Sequence, residues 1–294
     1  MAEVLVTLQN VFTLAFIVSS MLAMGLSLTV AQIAGPLRNV RLVILALAAN
    51  FVIAPVTAVV LSRVIPMDPQ LQIGLILMGS AAGAPFLPKL AVIAKADIAF
   101  AVGLMAMLIV VTVIFLPIFL PLVLTGVTVD AFSIAISLFL EMLVPLAAGL
   151  LVKQRYPDSA AGLVPTLSQI ANVSLVLLLV LMLATNIENV IALFGSGALL
   201  ATAILLAVCV IAGFLLGGPG SDKRAVLALG TGQRNLAASF SVAAGSFAAQ
   251  PNVLVFLAGA GLIGMVIMFP LAAELGKRAG SAAKPGAAAD GAGV

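Results

Sequence analysis

The sequence predicts an all-α polytopic membrane protein, and three observations carry that prediction. The chain has 294 residues, of which 64% are hydrophobic and 8% charged, with a mean hydropathy of +1.33. A soluble domain has no means of hiding so much apolar surface. The apolar residues fall in runs of about 20 or more, the length a helix needs to cross the hydrocarbon of a bilayer. The charges between the runs are sorted by sign, as they are when alternate loops lie on opposite sides of a membrane.

Bounded by charge, Pro and Gly, the runs read as nine transmembrane helices at 7–29, 40–62, 70–94, 97–124, 130–152, 163–186, 192–217, 224–248 and 252–276. Met1 to Asn10 carries Glu3 in place of a basic start, so no cleavable signal is expected and the first run stays as a span. Residues 1–278 form one transmembrane domain. The tail from Ala279 to Val294 is rich in Ala and Gly, has nothing to bury, and is expected to be disordered.

Of the 13 Lys and Arg residues, one set of loops holds ten: Arg38, Arg41, Lys95, Lys153, Arg155, Lys223, Arg224, Lys277, Arg278 and Lys284. The other set holds only Arg63, beside Glu3, Asp68, Asp130 and Glu188. The bias predicts a multi-pass protein of the cell (inner) membrane, N-terminus outside and C-terminus cytoplasmic. The two cations left over, Lys89 and Arg234, fall inside spans.

Both of these cations sit where a span cannot run on as one helix. The eighth holds Gly230-Thr231-Gly232-Gln233-Arg234-Asn235, and the third holds Gly79 to Lys89 with Gly83, Pro85 and Pro88. Each interrupted span precedes an apolar span with a late Pro step, Leu116-Pro117 and Phe269-Pro270. The pattern reads as two inverted repeats, about 7–124 and 163–276, joined by a linking helix at about 130–152. Paired interrupted helices in inverted halves mark secondary transporters, whose unwound backbone and ion sites lie near the midplane. Arg234 is expected to face a polar cavity there, because a charge at membrane depth costs about 3 kcal/mol or more.

Glu141 lies in the middle of the fifth span. Three roles are open to it: neutralising one of the cations, reaching an interface, or carrying a coupled proton. If it neutralises one cation, the other is left for an anionic ligand such as a carboxylate. Among the other polar residues in spans, Asn50, Gln233 and Asn235 sit by a proline or a break and are expected to line the cavity with Thr231. For Gln169 and Asn172, helix packing is as good a reading. The chain has no His and a single Cys, Cys209. It shows no nucleophile–base set, phosphate loop or metal-ligand cluster, so no enzyme, no cofactor and no metal is expected, and no nucleic acid as partner. The expected partners are a small organic anion and the lipid bilayer, and nothing in the sequence fixes an oligomeric state.

The chain resembles the bile acid:sodium symporter family over nearly its whole length. The matching pieces are Met24 to Leu28, Asn50 to Pro55, the Gly-rich break of the third span, Ala94 to Ala99, and Gly232 to Ala238. The resemblance implies a panel and a core domain, two discontinuous helices crossing in the core, and alternating access. It also implies organic anions as substrates, steroid-like or small carboxylates. Against that pattern, Leu87 and Pro88 stand where the family has a Ser-Asn pair, Gly230 where it has a Glu, and Arg234 where it has a sodium-binding Gln. Asn50 stands where the family has another sodium-binding Gln and keeps a carbonyl ligand. Hard cations need clustered oxygens, so the expectation is that Lys89 and Arg234 replace the two sodium ions electrostatically and transport is sodium-independent. A sodium-coupled anion symporter with a rebuilt site is the alternative. An arsenite permease relative is disfavoured by the lack of any Cys between Gly79 and Asp97. A membrane sensor would need a signalling domain or partner, and a channel would give unitary currents.

Overall fold

An apolar run in hydrocarbon must close its own backbone hydrogen bonds, and the helix is the form that does so within one segment. A computed structural model describes residues 2–35, 38–124 and 129–282, and among these the regular structure is helical throughout. In order, the helices are α1 (Ala2–Ser27), α2 (Val30–Ala34), α3 (Val40–Ala48), α4 (Ala54–Val64), α5 (Pro69–Ser80), α6 (Leu87–Ile93), α7 (Ile98–Val123) and α8 (Ala131–Leu138). They continue with α9 (Val144–Arg155), α10 (Pro157–Thr185), α11 (Ile187–Gly195), α12 (Ala198–Leu216), α13 (Ser221–Gly232), α14 (Leu236–Ser246) and α15 (Pro251–Ala282). Among the described residues, seven stretches are long and apolar enough to cross a membrane: Val4–Ser27, Val40–Val64, Ile98–Val123, Ala131–Arg155, Pro157–Met182, Ala198–Leu216 and Pro251–Ala279.

Local chemistry sets where the helices start. Asp68, Asp97 and Asp130 cap α5, α7 and α8, their carboxylates accepting from the backbone N–H of Gln70, Phe100 and Phe132. Two prolines leave a mark the sequence reading did not anticipate. Pro55 and Pro145 each lack the N–H that continues a helix, and each is preceded by a π turn, at Ala49–Ile53 and Phe139–Leu143. Asn50 and Glu141 both lie in these turns.

The outward faces are apolar at helical spacing. Val52, Val56, Val60 and Val64 are more than half exposed, as are Ile114, Ile118 and Leu122. A stripe of this kind is what a lipid-facing helix presents.

Several boundaries differ from the expectation, the first helix already beginning at Ala2 instead of residue 7. The helix expected at 163–186 begins at Pro157, since proline is well placed in a first turn. The run expected at 192–217 is split in two, because Gly197 takes a left-handed φ of 72° between α11 and α12. The last helix continues to Ala282, so Ala279–Ala282 of the expected disordered tail are helical. The rest of that tail, 283–294, lies outside the described residues.

α1 lies along α9 and α10, while α12 lies along α13 and α4, and α15 along α5, α12, α13 and α14. Where α1 meets α9 the backbones nearly touch. A Cβ added at Gly149 would sit 2.6 Å from the Leu22 carbonyl oxygen and 2.8 Å from the Leu26 nitrogen. Glycine permits this approach, and close packing is what holds helices together in lipid. Gly149→Ala is therefore expected to lower the melting temperature of the purified protein by several degrees. Gly162→Ala, on a face with nothing within 4 Å, is expected to leave it unchanged or raise it slightly.

Candidate functional site

The two interrupted helices meet at their breaks. α5 ends at Ser80 because Ala81 turns extended, with φ −90° and ψ 109°, and Gly83 takes φ +81°. A Cβ at Gly83 would lie 2.5 Å from the Ile109 nitrogen on α7, so both backbone angle and space require glycine there. α13 ends at Gly232, and α14 begins after Gln233, Arg234 and Asn235. Each end leaves last-turn carbonyls without a helical partner, together with the negative end of a helix dipole.

Arg234 takes up these carbonyls. Its Nε donates to the Met78 carbonyl at 3.2 Å and its Nη2 to the Gly79 carbonyl at 2.7 Å. Its Nη1 donates to the Thr231 carbonyl at 3.0 Å and to Asn50 Oδ1 at 3.1 Å. The side chain is 3% exposed. Among the described residues it has no carboxylate partner. A full positive charge is thus held by neutral oxygens, three of them at helix C-termini.

The surrounding amides and hydroxyls hold that arrangement. Asn50 Nδ2 donates to the Ala46 carbonyl and to Thr231 Oγ1, which turns Oδ1 toward the guanidinium. The Asn235 backbone N–H donates to the Ala81 carbonyl at 3.0 Å. Its Nδ2 donates to the Ala82 and Gly83 carbonyls, and its Oδ1 caps α14 by accepting from the Ala238 N–H. Asn235 therefore ties the second break to the first. Thr112 on α7 completes the lacing: its hydroxyl accepts from the Ala82 N–H and donates to the Ala82 carbonyl, both at 3.0 Å.

The geometry revises several expectations. Arg234, Asn50 and Asn235 do not face an open cavity; they are buried, and they line the contact between the two breaks. Lys89 does not reach that contact. Leaving the break one turn into α6, it is exposed, with Nζ 5.3 Å from the Phe86 ring centroid, and it lines a separate cavity of about 340 Å³. Ser20, Ser27, Gln32, Pro88, Ser168 and Asn172 also line this cavity. Glu141 is half-buried in its π turn and pairs with neither cation. Gln233 is 7% exposed and its Oε1 has no hydrogen-bond partner. A Cβ on Gly230 would lie 3.0 Å from a methyl of Leu87 and 3.2 Å from one of Leu104. Apolar side chains therefore pack against the position where the resemblance puts a carboxylate.

Sequence reasoning missed Thr112 and the carbonyls of Met78 and Gly79. The signal for Thr112 was a lone hydroxyl in the otherwise apolar stretch Leu108 to Ile114. The carbonyls carry no signal, since every residue has one.

Residues 13–193 match the family model described as Sodium Bile acid symporter family. The chain belongs to that family. The match covers the first break and Asn50, Lys89 and Glu141, and ends before the second break and Arg234. No curated protein matches the chain. For this symporter-family protein, a membrane transporter of the bile acid and organic anion type, the contact between the breaks is the candidate site. Thr112→Val removes the acceptor for the buried Ala82 N–H, an orphan worth about 1–3 kcal/mol. The expected result is a clear loss of melting temperature, with Thr112→Ser close to the parent.

Proposed function

We propose that this protein is a secondary transporter that moves a small organic anion by alternating access without sodium, Arg234 serving as a tethered cation in place of a bound one. The observation that carries the reading is the set of four oxygens around the guanidinium: Met78 O, Gly79 O, Thr231 O and Asn50 Oδ1. Neutral oxygens at two helix C-termini, with an amide oxygen beside them, form a cradle for positive charge. Here the charge is built into the chain. At Gly230, where the resemblance puts a carboxylate, the nearest side-chain atoms are methyls of Leu87 and Leu104, which supply no ligand for a second ion.

On this reading the two interrupted helices cross the membrane with the seven continuous stretches, making nine crossings in two inverted repeats, about 7–124 and 163–276, around the linking helix at about 130–152. α1, α9 and α10 form the panel and the remaining long helices the core. The N-terminus is outside, which puts the Lys89 cavity at the cytoplasmic end of the panel–core seam. The seam supplies what an organic anion needs: one exposed ammonium, hydroxyls and amides from Ser20, Ser27, Gln32, Ser168 and Asn172, and apolar walls including Phe86, Met24 and Met105. Lys89 and Pro88 are then substrate-site residues, Thr231, Gln233 and Asn235 belong to the hinge between breaks, and Glu141 is the remaining candidate for proton coupling. Moving a monoanion inward against about 100 mV costs about 2.3 kcal/mol. Without a co-transported cation, export or facilitated diffusion is favoured, or uptake driven by protons.

The test is flux of labelled monocarboxylates through reconstituted protein, in NaCl against KCl at equal ionic strength, with the melting temperature followed in the same salts. Equal flux and equal melting temperatures are expected; a sodium-specific rise in either sinks the tethered-cation reading and restores a sodium symporter. Arg234→Gln is expected to cut flux at least about tenfold, equivalent to about 1.4 kcal/mol. Near-normal flux in that variant tells against the proposal.

A further inference from the structure

The Lys89 cavity has a neighbour. A second cavity of about 540 Å³ lies where α2, the start of α3, and the N-termini of α7 and α13 come together. Its lining includes Arg38, Asn39, Asp97, Lys223 and Gln32. Gln32 lines the Lys89 cavity as well, so the two cavities adjoin across this one side chain.

The charges in this lining are unbalanced. Arg38 and Lys223 are far apart in sequence, are brought to one cavity by the fold, and among the described residues neither forms a salt bridge. The only acid in the lining is Asp97, one of whose oxygens is already engaged as the cap of α7, accepting from the Phe100 N–H at 2.8 Å. Two cations against one partly engaged carboxylate leave a net positive wall, with the Asn39 side chain beside it accepting from the Leu42 N–H. A concave site lined by one sign of charge focuses the field and concentrates counter-ions. A carboxylate entering it can be held by guanidinium and ammonium together.

We propose that the Arg38–Lys223 cavity is a second, peripheral anion site that captures carboxylates and passes them along Gln32 to and from Lys89. The proposal rests on the anion-transporter reading for its purpose, but its charge and binding are testable without any flux. A cysteine at Ala99, an exposed residue of the cavity lining with no side-chain bond to lose, reports on it in a Cys209→Ala background, Cys209 being the sole natural thiol. In detergent, the rates at which an anionic and a cationic methanethiosulfonate modify this thiol read the local potential.

The anionic reagent is expected to react several-fold faster than its cationic counterpart at low salt. The preference should be lost in Arg38→Gln/Lys223→Gln, and should shrink as ionic strength rises. Sodium acetate is expected to slow the anionic reagent more than sodium chloride at equal ionic strength, and to lose this advantage in the double variant. A rate ratio unaffected by the double substitution overturns the site, and equal effects of acetate and chloride overturn carboxylate recognition. Neither result touches the transporter reading, which fails on the flux measurement alone. Melting curves of the double variant close to the parent show that any change is not unfolding.

Discussion

The structure depends on how a guanidinium is kept in the interior of an apolar helix bundle. A buried charge without compensation costs several kcal/mol, and Arg234 has no carboxylate to meet it. Compensation comes from the ends of helices. Breaking α5 from α6 and α13 from α14 frees carbonyls at Met78, Gly79 and Thr231, and the guanidinium consumes them. Each cost offsets the other: unpaired carbonyls would be expensive in that environment, and so would the cation. The same interaction explains why the breaks meet, since one side chain draws its acceptors from both interrupted helices.

The neighbouring residues follow from this. A planar fork needs acceptors in fixed directions, so the groups around it must be held. Asn50 is held by Ala46 and Thr231, Asn235 by three carbonyls of the first break, and Ala82 by Thr112. All are neutral. The cation is therefore met by dipoles alone, the carbonyls at the helix ends and the amide of Asn50. The leucines packed at Gly230 add an apolar contact between the second break, α6 and α7.

Much of this was legible in the sequence, and the illegible part has identifiable causes. Helical composition, the continuous spans, the two breaks and the singular position of Arg234 all follow from run length, Gly and Pro placement and the cost of a mid-span charge. The partners of Arg234 did not follow, because backbone carbonyls have no letter of their own. The place of Lys89 was misread for a related reason. A break resets the rotational phase of the helix beyond it, so spacing from Gly79 or Gly83 says nothing about which way α6 turns its third residue. The π turns were not legible either: each lies just before a proline, Pro55 or Pro145, but Pro117, Pro121, Pro165 and Pro270 sit inside helices without one. The split at Gly197 was hidden because Ser196-Gly197 is too short an interruption to register against apolar flanks.

The separation of Lys89 from Arg234 bears on how such a protein would do work. Under the proposed reading the two cations have different tasks because they sit in different places. Arg234 already donates to four neutral oxygens, and being covalently part of the chain it cannot be exchanged between the two sides of the membrane. A tethered ion stabilises the crossing in every conformation alike, and a ligand shifts a conformational equilibrium only by its differential affinity for the states. Arg234 therefore supplies structure but no driving force. Lys89 is accessible and unsaturated, and it is the cation whose charge a substrate can cancel when it binds in the seam. If the panel and core rearrange only when that charge is met, substrate binding itself becomes the gate, with the direction of flow left to the substrate gradient and the membrane potential.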